Sequence, residues 1–285
     1  MDKVVIFGVG LIGGSFALAL RKADAVREVV GFGRSRKNLD KAHRLGIIDR
    51  IGEKESDEVA DADLVLIATP VAQMADIFVS IAPHLGEQAL VIDAGSTKSD
   101  VIGAARASLG DRIGQFVPAH PIAGAEQSGP DAAQEDLYQG KKVVLTPLPE
   151  NSNESLIRAC AAWEACGAQV TRLTPEQHDE VFAAVSHLPH LLSFALVHDL
   201  AQRDNQKLLL SFAASGFRDF TRIAASSPEM WRDICMANRE ALLRELKLYA
   251  DELYTLYQAL EQGDAEQLNK VFKLASEVRG DWSQQ

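Results

Sequence analysis

The chain has 285 residues, 47% hydrophobic and 24% charged, which is typical of a globular protein of about two domains. Its 29 Lys and Arg against 40 Asp and Glu give a formal net charge of -11, which argues against a nucleic-acid-binding protein. Three cysteines without a CxxC spacing indicate no disulfide framework, and neither a signal peptide nor an apolar run of ~20 residues is found. We therefore expect a cytoplasmic protein that binds neither membranes nor nucleic acid.

The first half of the chain alternates short apolar runs with helical patterns. Strands are predicted over 4–8, 28–32, 64–69, 89–93, 115–119 and 142–146. Helices are predicted over 14–23, 36–45, 71–82, 98–108 and 153–166, and a short strand over 169–173. This alternation predicts an α/β fold with a Rossmann-type, doubly wound, mostly parallel sheet.

The second half changes character at Thr174-Pro175, where Gln177 completes the pattern of a capped helix start. Beyond it no strand is evident, apolar residues recur at helical spacing, and one long helix is predicted over 238–261. We predict a dinucleotide-binding domain over 1–173 and an all-α substrate-binding and dimerisation domain over 174–285. The apolar stripe of the long helix favours a homodimer, and its packing within one chain is the alternative.

A glycine-rich turn follows the first strand and opens a helix. It reads Gly8-Val9-Gly10-Leu11-Ile12-Gly13. Gly8 permits a tight turn, Gly10 lets the backbone approach a pyrophosphate, and Gly13 lets the helix pack on the strand. The free N–H groups of the helix N-terminus, including those of Leu11 and Ile12, suit the phosphates. A structural turn without a ligand is the alternative.

The second strand lacks the acidic residue that would bind the ribose 2′-hydroxyl of NAD. It ends instead in Gly33-Arg34-Ser35-Arg36. Two guanidinium groups would bind the 2′-phosphate of NADP, so we predict that NADP is used at least as well as NAD. In the alternative, Arg34 stacks on the adenine, Arg36 is a solvated helix residue and NAD is the cofactor.

Two further strand ends carry candidate binding residues, because open α/β sheets bind ligands at the carboxyl ends of their strands. Thr69-Pro70 follows the third strand, and Ser96 follows the fourth. Two roles stay open for Ser96. Its hydroxyl either caps the next helix or faces the nicotinamide and the substrate.

His120 lies at the end of the fifth strand between Pro118 and Pro121, which restrict the backbone on both sides of it. A histidine held in this way is suited to proton transfer. A core or capping histidine is the alternative. His187 and His190 are spaced i, i+3 and share a helix face. A metal site with His178 or Asp179 as further ligands is an alternative, but the spacing is not HExxH, and we predict no metal.

Arg218 and Arg222 are spaced i, i+4, and on one helix face they would grip carboxylates in bidentate fashion. A solvated face with Asp219 as ion-pair partner is the alternative.

Together these stretches resemble the prephenate dehydrogenase family, also called cyclohexadienyl dehydrogenases. The matching strings, in order along essentially the whole chain, are GVGLIGGS at 8–15, DAGSTK at 93–98, AHPIAGAEQSG at 119–129, VSHLPH at 185–190 and SGFRDFTRIA at 215–224. The HPIAG and GFRDFTRIA strings are specific, whereas many dehydrogenases share the glycine pattern. The resemblance implies a Rossmann domain, a dimerising helical domain and the oxidative decarboxylation of prephenate to 4-hydroxyphenylpyruvate in tyrosine biosynthesis.

The resemblance also implies roles for single residues. His120 matches the catalytic histidine that bonds the ring hydroxyl, and Ser96 matches the serine that supports it near the nicotinamide. Arg222 matches the arginine that binds the ring carboxylate. The other substrate-binding candidates, on the side-chain end or in a gating network, are His187, His190, Arg218 and Glu126. The family commonly has lysine where Arg218 stands, so Arg218 is a departure.

Two alternatives to this function stay open at this point. A dehydrogenase that uses arogenate, or both substrates, is the first alternative to prephenate. A non-catalytic NADP-sensing protein is the second. Since two domains account for the length, we expect any inhibition by tyrosine to be competitive in the active site.

Overall fold

A computed structural model describes residues 1–124 and 127–282 of the chain, and its first half is built on two sheets. Six parallel strands form the first sheet in the order β3-β2-β1-β4-β5-β6. They are β1 (Lys3–Phe7), β2 (Glu28–Phe32), β3 (Arg50–Ile51), β4 (Leu64–Ile67), β5 (Leu90–Asp93) and β6 (Phe116–Val117). The second sheet contains β7 (Ala119–Pro121), β8 (Lys142–Leu145) and β9 (Gln169–Arg172). Strand β7 is antiparallel to β8, and β8 is parallel to β9.

Helices connect these strands and then make up the rest of the described chain. The first six are α1 (Leu11–Lys22), α2 (Arg36–Arg44), α3 (Glu55–Val59), α4 (Met74–Ile81), α5 (Ser99–Leu109) and α6 (Asn153–Ala165). The others are α7 (Pro175–Phe182), α8 (Leu188–Ala201), α9 (Gln206–Ser211), α10 (Ser215–Thr221), α11 (Pro228–Ala237), α12 (Arg239–Gln262) and α13 (Ala265–Trp282). The predicted α/β fold with a mostly parallel sheet and a helical C-terminal part is confirmed.

The six-stranded sheet has a hydrophobic core on each face. Successive side chains of a strand point to opposite faces, so Val4 of β1 joins one core and Val5 the other. On the first face Phe16 of α1 meets Trp163 of α6 edge to face, with ring centroids 4.8 Å apart. On the second face Phe78 of α4 belongs to the core. The loops that follow the carboxyl ends of these parallel strands therefore lie along one edge of the sheet.

One predicted strand, 115–119, is wrong as a single element. Strand β6 ends at Val117, and the chain then enters the second sheet as β7. Pro118 lies between them and has no N–H to continue a ladder, while its carbonyl accepts from Thr146 N at 3.0 Å. The break at this proline carries His120 into the second sheet, opposite Val144. Strand β3, only two residues long, was not predicted.

The predicted helix start at Thr174 is confirmed as a reciprocal capping box. Thr174 Oγ1 accepts from Gln177 N at 3.2 Å, and Gln177 Oε1 accepts from Thr174 N at 3.0 Å. Helix α7 continues through a π-helical turn, Ala183–His187, into α8, whose second residue is Pro189. The π turn re-forms the hydrogen bonding ahead of this proline.

The continuous segment Pro175–Ala201 is long and apolar enough to cross a membrane by length and composition alone. No such segment was predicted from the sequence, because polar residues interrupt its apolar run. Buried polar side chains on it, among them His178, Asp179 and His187, bond to other parts of the protein. These hydrogen bonds tie the segment to β7, to the start of α5 and to the end of α11, and length and composition alone are weak evidence for a membrane span.

The chain divides into two compact units, Met1–Arg239 and Glu240–Gln285. In the second unit, Gly263 takes a φ of +68° and ends α12 before α13 begins. The predicted long helix is confirmed as α12. The domain boundary predicted after residue 173 lies inside the first unit and stays a prediction.

Candidate active site

The glycine-rich turn between β1 and α1 forms a tight connection. Gly8 has a φ of +96°, and a Cβ there would lie 2.5 Å from the carbonyl oxygen of Ala68. A Cβ at Gly13 would collide with the Gly8 carbonyl and with Ile6, so glycine sets how closely α1 packs on β1. Around Gly10 the space is open, and no side chain caps α1. The N–H groups of this first turn therefore suit phosphate oxygens.

The β2–α2 connection places the two arginines differently. Gly33 and Arg34 are exposed directly after β2. Ser35 is the N-cap of α2, and its hydroxyl accepts from Asn38 N at 3.3 Å. Arg36 pairs with Asp40 one turn later at 3.0 Å, and both side chains are largely exposed. Arg34 therefore stands in the connection itself, whereas Arg36 belongs to the face of α2.

Thr69 and Pro70 lie just beyond β4, beside the glycine turn. A Cβ on Gly8 would reach within 3.0 Å of Thr69 N, so these two segments are in close contact. The hydroxyl oxygen of Thr69 is buried and has no hydrogen-bond partner in the described ranges. A buried polar atom of this kind, at the carboxyl edge of the sheet, is suited to a polar ligand.

Ser96 does not cap the next helix, so the capping alternative from the sequence is wrong. Helix α5 begins at Ser99, and Lys98 is its N-cap residue. The carboxylate of Asp179 accepts from Lys98 N and Ser99 N, each at 2.9 Å. A residue from α7, 80 positions away, thus satisfies the helix end and leaves Ser96, half-buried, in the loop between β5 and α5.

A fully buried ion pair holds the strand that carries His120. Lys98 Nζ donates to the carboxylate of Asp93 and, at 2.7 Å, to the carbonyl of Ala119. Asp93 Oδ1 accepts from Ala119 N at 2.9 Å, and Oδ2 accepts from Gly95 N at 2.8 Å. Both charges are therefore paired and bonded, as burial demands. The pair fixes β7 against the end of β5, one residue before His120.

His120 is half-buried in β7 and contacts two aromatic rings of α7. Its Nδ1 lies 2.8 Å from His178 Nε2, and its ring meets Phe182 edge to face at 4.8 Å. Burial, and then the neighbouring positive charges, hold the pKa of His120 well below its usual 6.5. His120 is thus a neutral imidazole at pH 7, the form that accepts a proton.

His187 and His190 both face the indole ring of Trp231. His190 stacks on that ring at 3.5 Å, and its Nδ1 donates to the carbonyl of Ser186 at 2.9 Å. His187 is buried, and its Nδ1 accepts from Asn238 Nδ2 at 3.1 Å. Burial is the main cause that lowers the pKa of His187 to about 4. A hydrogen bond to the backbone of Ser96 raises this pKa in part, so the ring also lies beside the loop between β5 and α5.

The two predicted arginines lie on the surface of the first unit. Arg218 is in α10, and Arg222 begins the 3-10 turn that follows, so they share no regular α-helix. Burial lowers the pKa of His190, and the charge of Arg222 lowers it further, so Arg222 lies near His190. Glu126 lies outside the described residues. Within the ranges 1–124 and 127–282, no group of three His, Cys, Asp or Glu is placed to hold a metal ion.

The structure therefore brings together residues that the sequence analysis did not connect. The sequence named His178 and Asp179 only as alternative metal ligands. In the structure they bond to each other, His178 also bonds to His120, and Asp179 also bonds to the start of α5. Lys98 and Asn238 were missed altogether. The adjacent pair His178-Asp179 one turn into a capped helix was the available signal, but its partners are 58 to 81 residues away.

Comparison with known proteins assigns the family. The model of the prephenate dehydrogenase nucleotide-binding domain matches residues 16–172, and that of the prephenate dehydrogenase dimerization domain matches 174–274. The chain belongs to the prephenate dehydrogenase family. Members of this family are oxidoreductases, which confirms that the chain is an enzyme of that class.

Relatives match this family member over nearly its full length. It is 37% identical to the prephenate dehydrogenase of Bacillus subtilis, over 98% of this chain and 75% of that protein. It is 34% identical to the cyclohexadienyl dehydrogenase of Zymomonas mobilis, over 97% and 94%. The Aquifex aeolicus prephenate dehydrogenase, solved with hydroxyphenyl propionate and NAD+, superimposes with a TM-score of 0.92 at 36% identity, covering 99% and 98% of the two chains.

Proposed function

We propose that this protein is a prephenate dehydrogenase that converts prephenate to 4-hydroxyphenylpyruvate and CO2 with a nicotinamide cofactor. The observation that carries the proposal is the neutral, half-buried imidazole of His120, held at the sheet edge by the Asp93–Lys98 pair. The reaction needs a base at that edge, because the ring hydroxyl of the substrate must lose its proton as it becomes a carbonyl. Three relatives above 30% identity carry the names of enzymes for this chemistry.

The cofactor fits the described residues of the nucleotide-binding half. The open space at Gly10, the free first turn of α1 and the unpartnered Thr69 hydroxyl are suited to a pyrophosphate and a polar ring substituent. The cofactor-binding set is Gly8, Gly10, Leu11, Ile12, Gly13, Gly33, Arg34, Ser35, Arg36, Thr69 and Pro70. When bound, the oxidised nicotinamide accepts a hydride from C4 of the substrate.

The chain's own residues bind the substrate and move one proton. His120 takes the hydroxyl proton at C4, worth about 10²–10⁴ in rate for a positioned base, while Ser96 supports the same oxygen. Arg222 binds the ring carboxylate, and His187, His190 and Arg218 are assigned to the side-chain end of the substrate. Glu126 is proposed to belong to the network that closes the site. Holding the reacting groups aligned while excluding water is the rest of the contribution.

We propose NADP as a cofactor at least as good as NAD. Support comes from Arg34, exposed beside Ser35 directly after β2, and from the lack of an acidic residue there. Arg36 contributes when its exposed ion pair with Asp40 breaks and its guanidinium binds the phosphate instead. The ion pair with Asp40 is worth at most about 1 kcal/mol. The Aquifex relative was solved with NAD+, so the 2′-phosphate is the point to test.

A second candidate substrate is arogenate, whose alanyl side chain carries an ammonium group. The cyclohexadienyl dehydrogenase of Zymomonas mobilis, 34% identical, is the observation that favours it. Against it, the cationic Arg218 is assigned to the side-chain end of the substrate, which suits the anionic pyruvyl group of prephenate better. We therefore propose prephenate as the main substrate, with tyrosine competing in the same site.

We also propose that the enzyme is a homodimer through its helical half. Helices α12 and α13 expose large apolar side chains, including Leu253, Tyr257 and Leu260. In the alternative the α12 stripe packs within one chain, but these side chains are exposed in the single chain. The matching family model for this region is named a dimerization domain.

The test of the proposed function follows the absorbance of reduced nicotinamide during turnover. Prephenate and arogenate are each offered with NAD and with NADP, and the decarboxylated product is identified. We expect turnover of prephenate with the higher kcat/KM. Binding of NADP without turnover of either substrate would instead identify a sensor.

A further inference from the structure

Behind His120 a line of hydrogen bonds continues into the interior of the protein. His120 Nδ1 lies 2.8 Å from His178 Nε2, and His178 Nδ1 lies 2.9 Å from Asp179 Oδ1. His178 exposes 0% of its surface and Asp179 only 6%. The three side chains come from β7 and α7, two elements of the same compact unit.

Asp179 ends this line as an ionised hydrogen-bond acceptor. Besides His178, its carboxylate accepts from the backbone N–H groups of Lys98 and Ser99, each at 2.9 Å. Burial by itself would raise the pKa of Asp179, but the hydrogen bonds from His178, Ser99 and Lys98 outweigh it and set this pKa at about 2. An ionised carboxylate has no proton to donate.

The ionised Asp179 determines which ring nitrogen carries the proton in His178 and in His120. Since Asp179 only accepts, His178 must donate from Nδ1, and its neutral ring then has a lone pair at Nε2. Since His178 Nε2 only accepts, His120 must donate from Nδ1. The lone pair of neutral His120 is therefore at Nε2, the ring nitrogen that points away from His178.

We propose that His178 and Asp179 are positioning residues, which hold His120 in the tautomer whose Nε2 accepts the hydroxyl proton of the substrate. This proposal rests on the proposed dehydrogenase function. In the step, the O–H bond breaks and its proton forms a bond to His120 Nε2. The O–H electron pair becomes part of the new C=O bond, and a hydride leaves C4 for the oxidised nicotinamide. The Nδ1 proton of His120 stays in place.

The charges around His120 explain why such support is needed. Facing it are His178 from α7, Lys98 ahead of α5 and His187 from the π turn, and burial and these groups all disfavour an imidazolium. Asp93 is already paired with Lys98, which leaves Asp179, through His178, to stabilise the charge that His120 gains. The same logic applies to the aspartate of serine-protease triads.

The decisive variant is Asp179→Asn, which keeps the size of the side chain. Asp179 Oδ1 accepts from both Lys98 N and His178 Nδ1, whereas Oδ2 accepts from Ser99 N. The amide of the variant therefore keeps its oxygen at the Oδ1 position, so that both tautomers are kept and only the negative charge behind His178 is lost. We expect kcat to fall about tenfold or more, because each pKa unit of lost imidazolium stabilisation corresponds to about a factor of ten. KM for prephenate should change only a few-fold. Glu176→Gln is the matched control, an exposed carboxylate-to-amide change on the same helix, and should keep the wild-type kcat.

Two readouts separate this role from a structural one. The variant loses a negative charge that favours the imidazolium, so the acid limb of its kcat/KM profile should move to lower pH, whereas a packing defect would lower the plateau only. Nitrogen NMR of the histidine rings in the substrate-free enzyme should place the His120 proton on Nδ1 in the wild type and, because the acceptor at the Oδ1 position is kept, in Asp179→Asn as well.

The proposal is overturned if wild-type His120 carries its proton on Nε2, or if Asp179→Asn keeps kcat within a few-fold of the wild type. A loss of kcat without movement of the acid limb also overturns it. If the variant does not fold, the ring assignment in the wild type still decides the matter. That assignment needs no substrate, so the tautomer test remains valid even if the wild type fails to oxidise prephenate, which would overturn the proposed function alone.

Discussion

At the scale of single residues, the reaction depends on His120 and on what surrounds its ring. His120→Asn keeps a polar side chain of similar reach but removes the base. We expect kcat to fall by about 10²–10⁴-fold with little change in KM, because the imidazole acts on the proton in the transition state. Steady-state kinetics with prephenate measure this, and unchanged turnover would show that His120 is not the base.

Arg222→Ala is the contrasting variant for that measurement. The guanidinium is proposed to bind a carboxylate that is present in both the ground and the transition state, so its loss should chiefly raise KM. A pair of variants that split kcat from KM in this way distinguishes a proton-transfer group from a binding group. Equal effects on both parameters in both variants would contradict the assigned roles.

At the scale of elements, the β2–α2 connection decides cofactor choice. Arg34 is exposed in the connection, whereas Arg36 is bonded to Asp40 on α2. We expect Arg34→Ala to raise KM for NADP about tenfold or more, as the loss of a charge-assisted hydrogen bond would do, and to change KM for NAD only a few-fold. Lys37→Ala, which removes an exposed cation from α2, is the control. A wild type that strongly prefers NAD would contradict the proposal.

The helical connection α7–α8 shows how an element positions several groups at once. The capping box at Thr174 sets where α7 starts, and this start places His178 and Asp179 one turn later. The π turn then brings His187 to Asn238. Because π turns are frequent at functional sites, the irregularity ahead of Pro189 belongs with the site rather than with the general packing.

At the scale of the whole molecule, the enzyme is proposed to work as a dimer. Leu260 of α12 is 68% exposed in the single chain. Light scattering at micromolar concentration should give twice the chain mass of 30.9 kDa. Leu260→Lys should shift the protein toward monomer, because it places a charge in a proposed apolar interface. Gln258→Lys, on another side of the same helix, should not. A wild-type monomer would contradict the proposal.

The sequence by itself determined the features that depend on neighbours along the chain. The alternation of buried strands and amphipathic helices predicted the α/β half, and the glycine spacing predicted the tight turn at Gly8. The pattern at Thr174-Pro175 predicted the start of α7. These features follow from periodicity, steric freedom and local hydrogen bonding, each of which acts over a few residues.

Only the tertiary structure decided what surrounds the reacting group. The break at Pro118 moves His120 into a second sheet, where β8 pairs with it from more than 20 residues away. Asp179 caps α5 across 81 positions, and His178 reaches His120 across 58. No local pattern encodes such pairings, because the energy of a hydrogen bond depends on distance in space and not on separation along the chain. The chain of tautomers behind His120 therefore became visible only once the two segments were folded against each other.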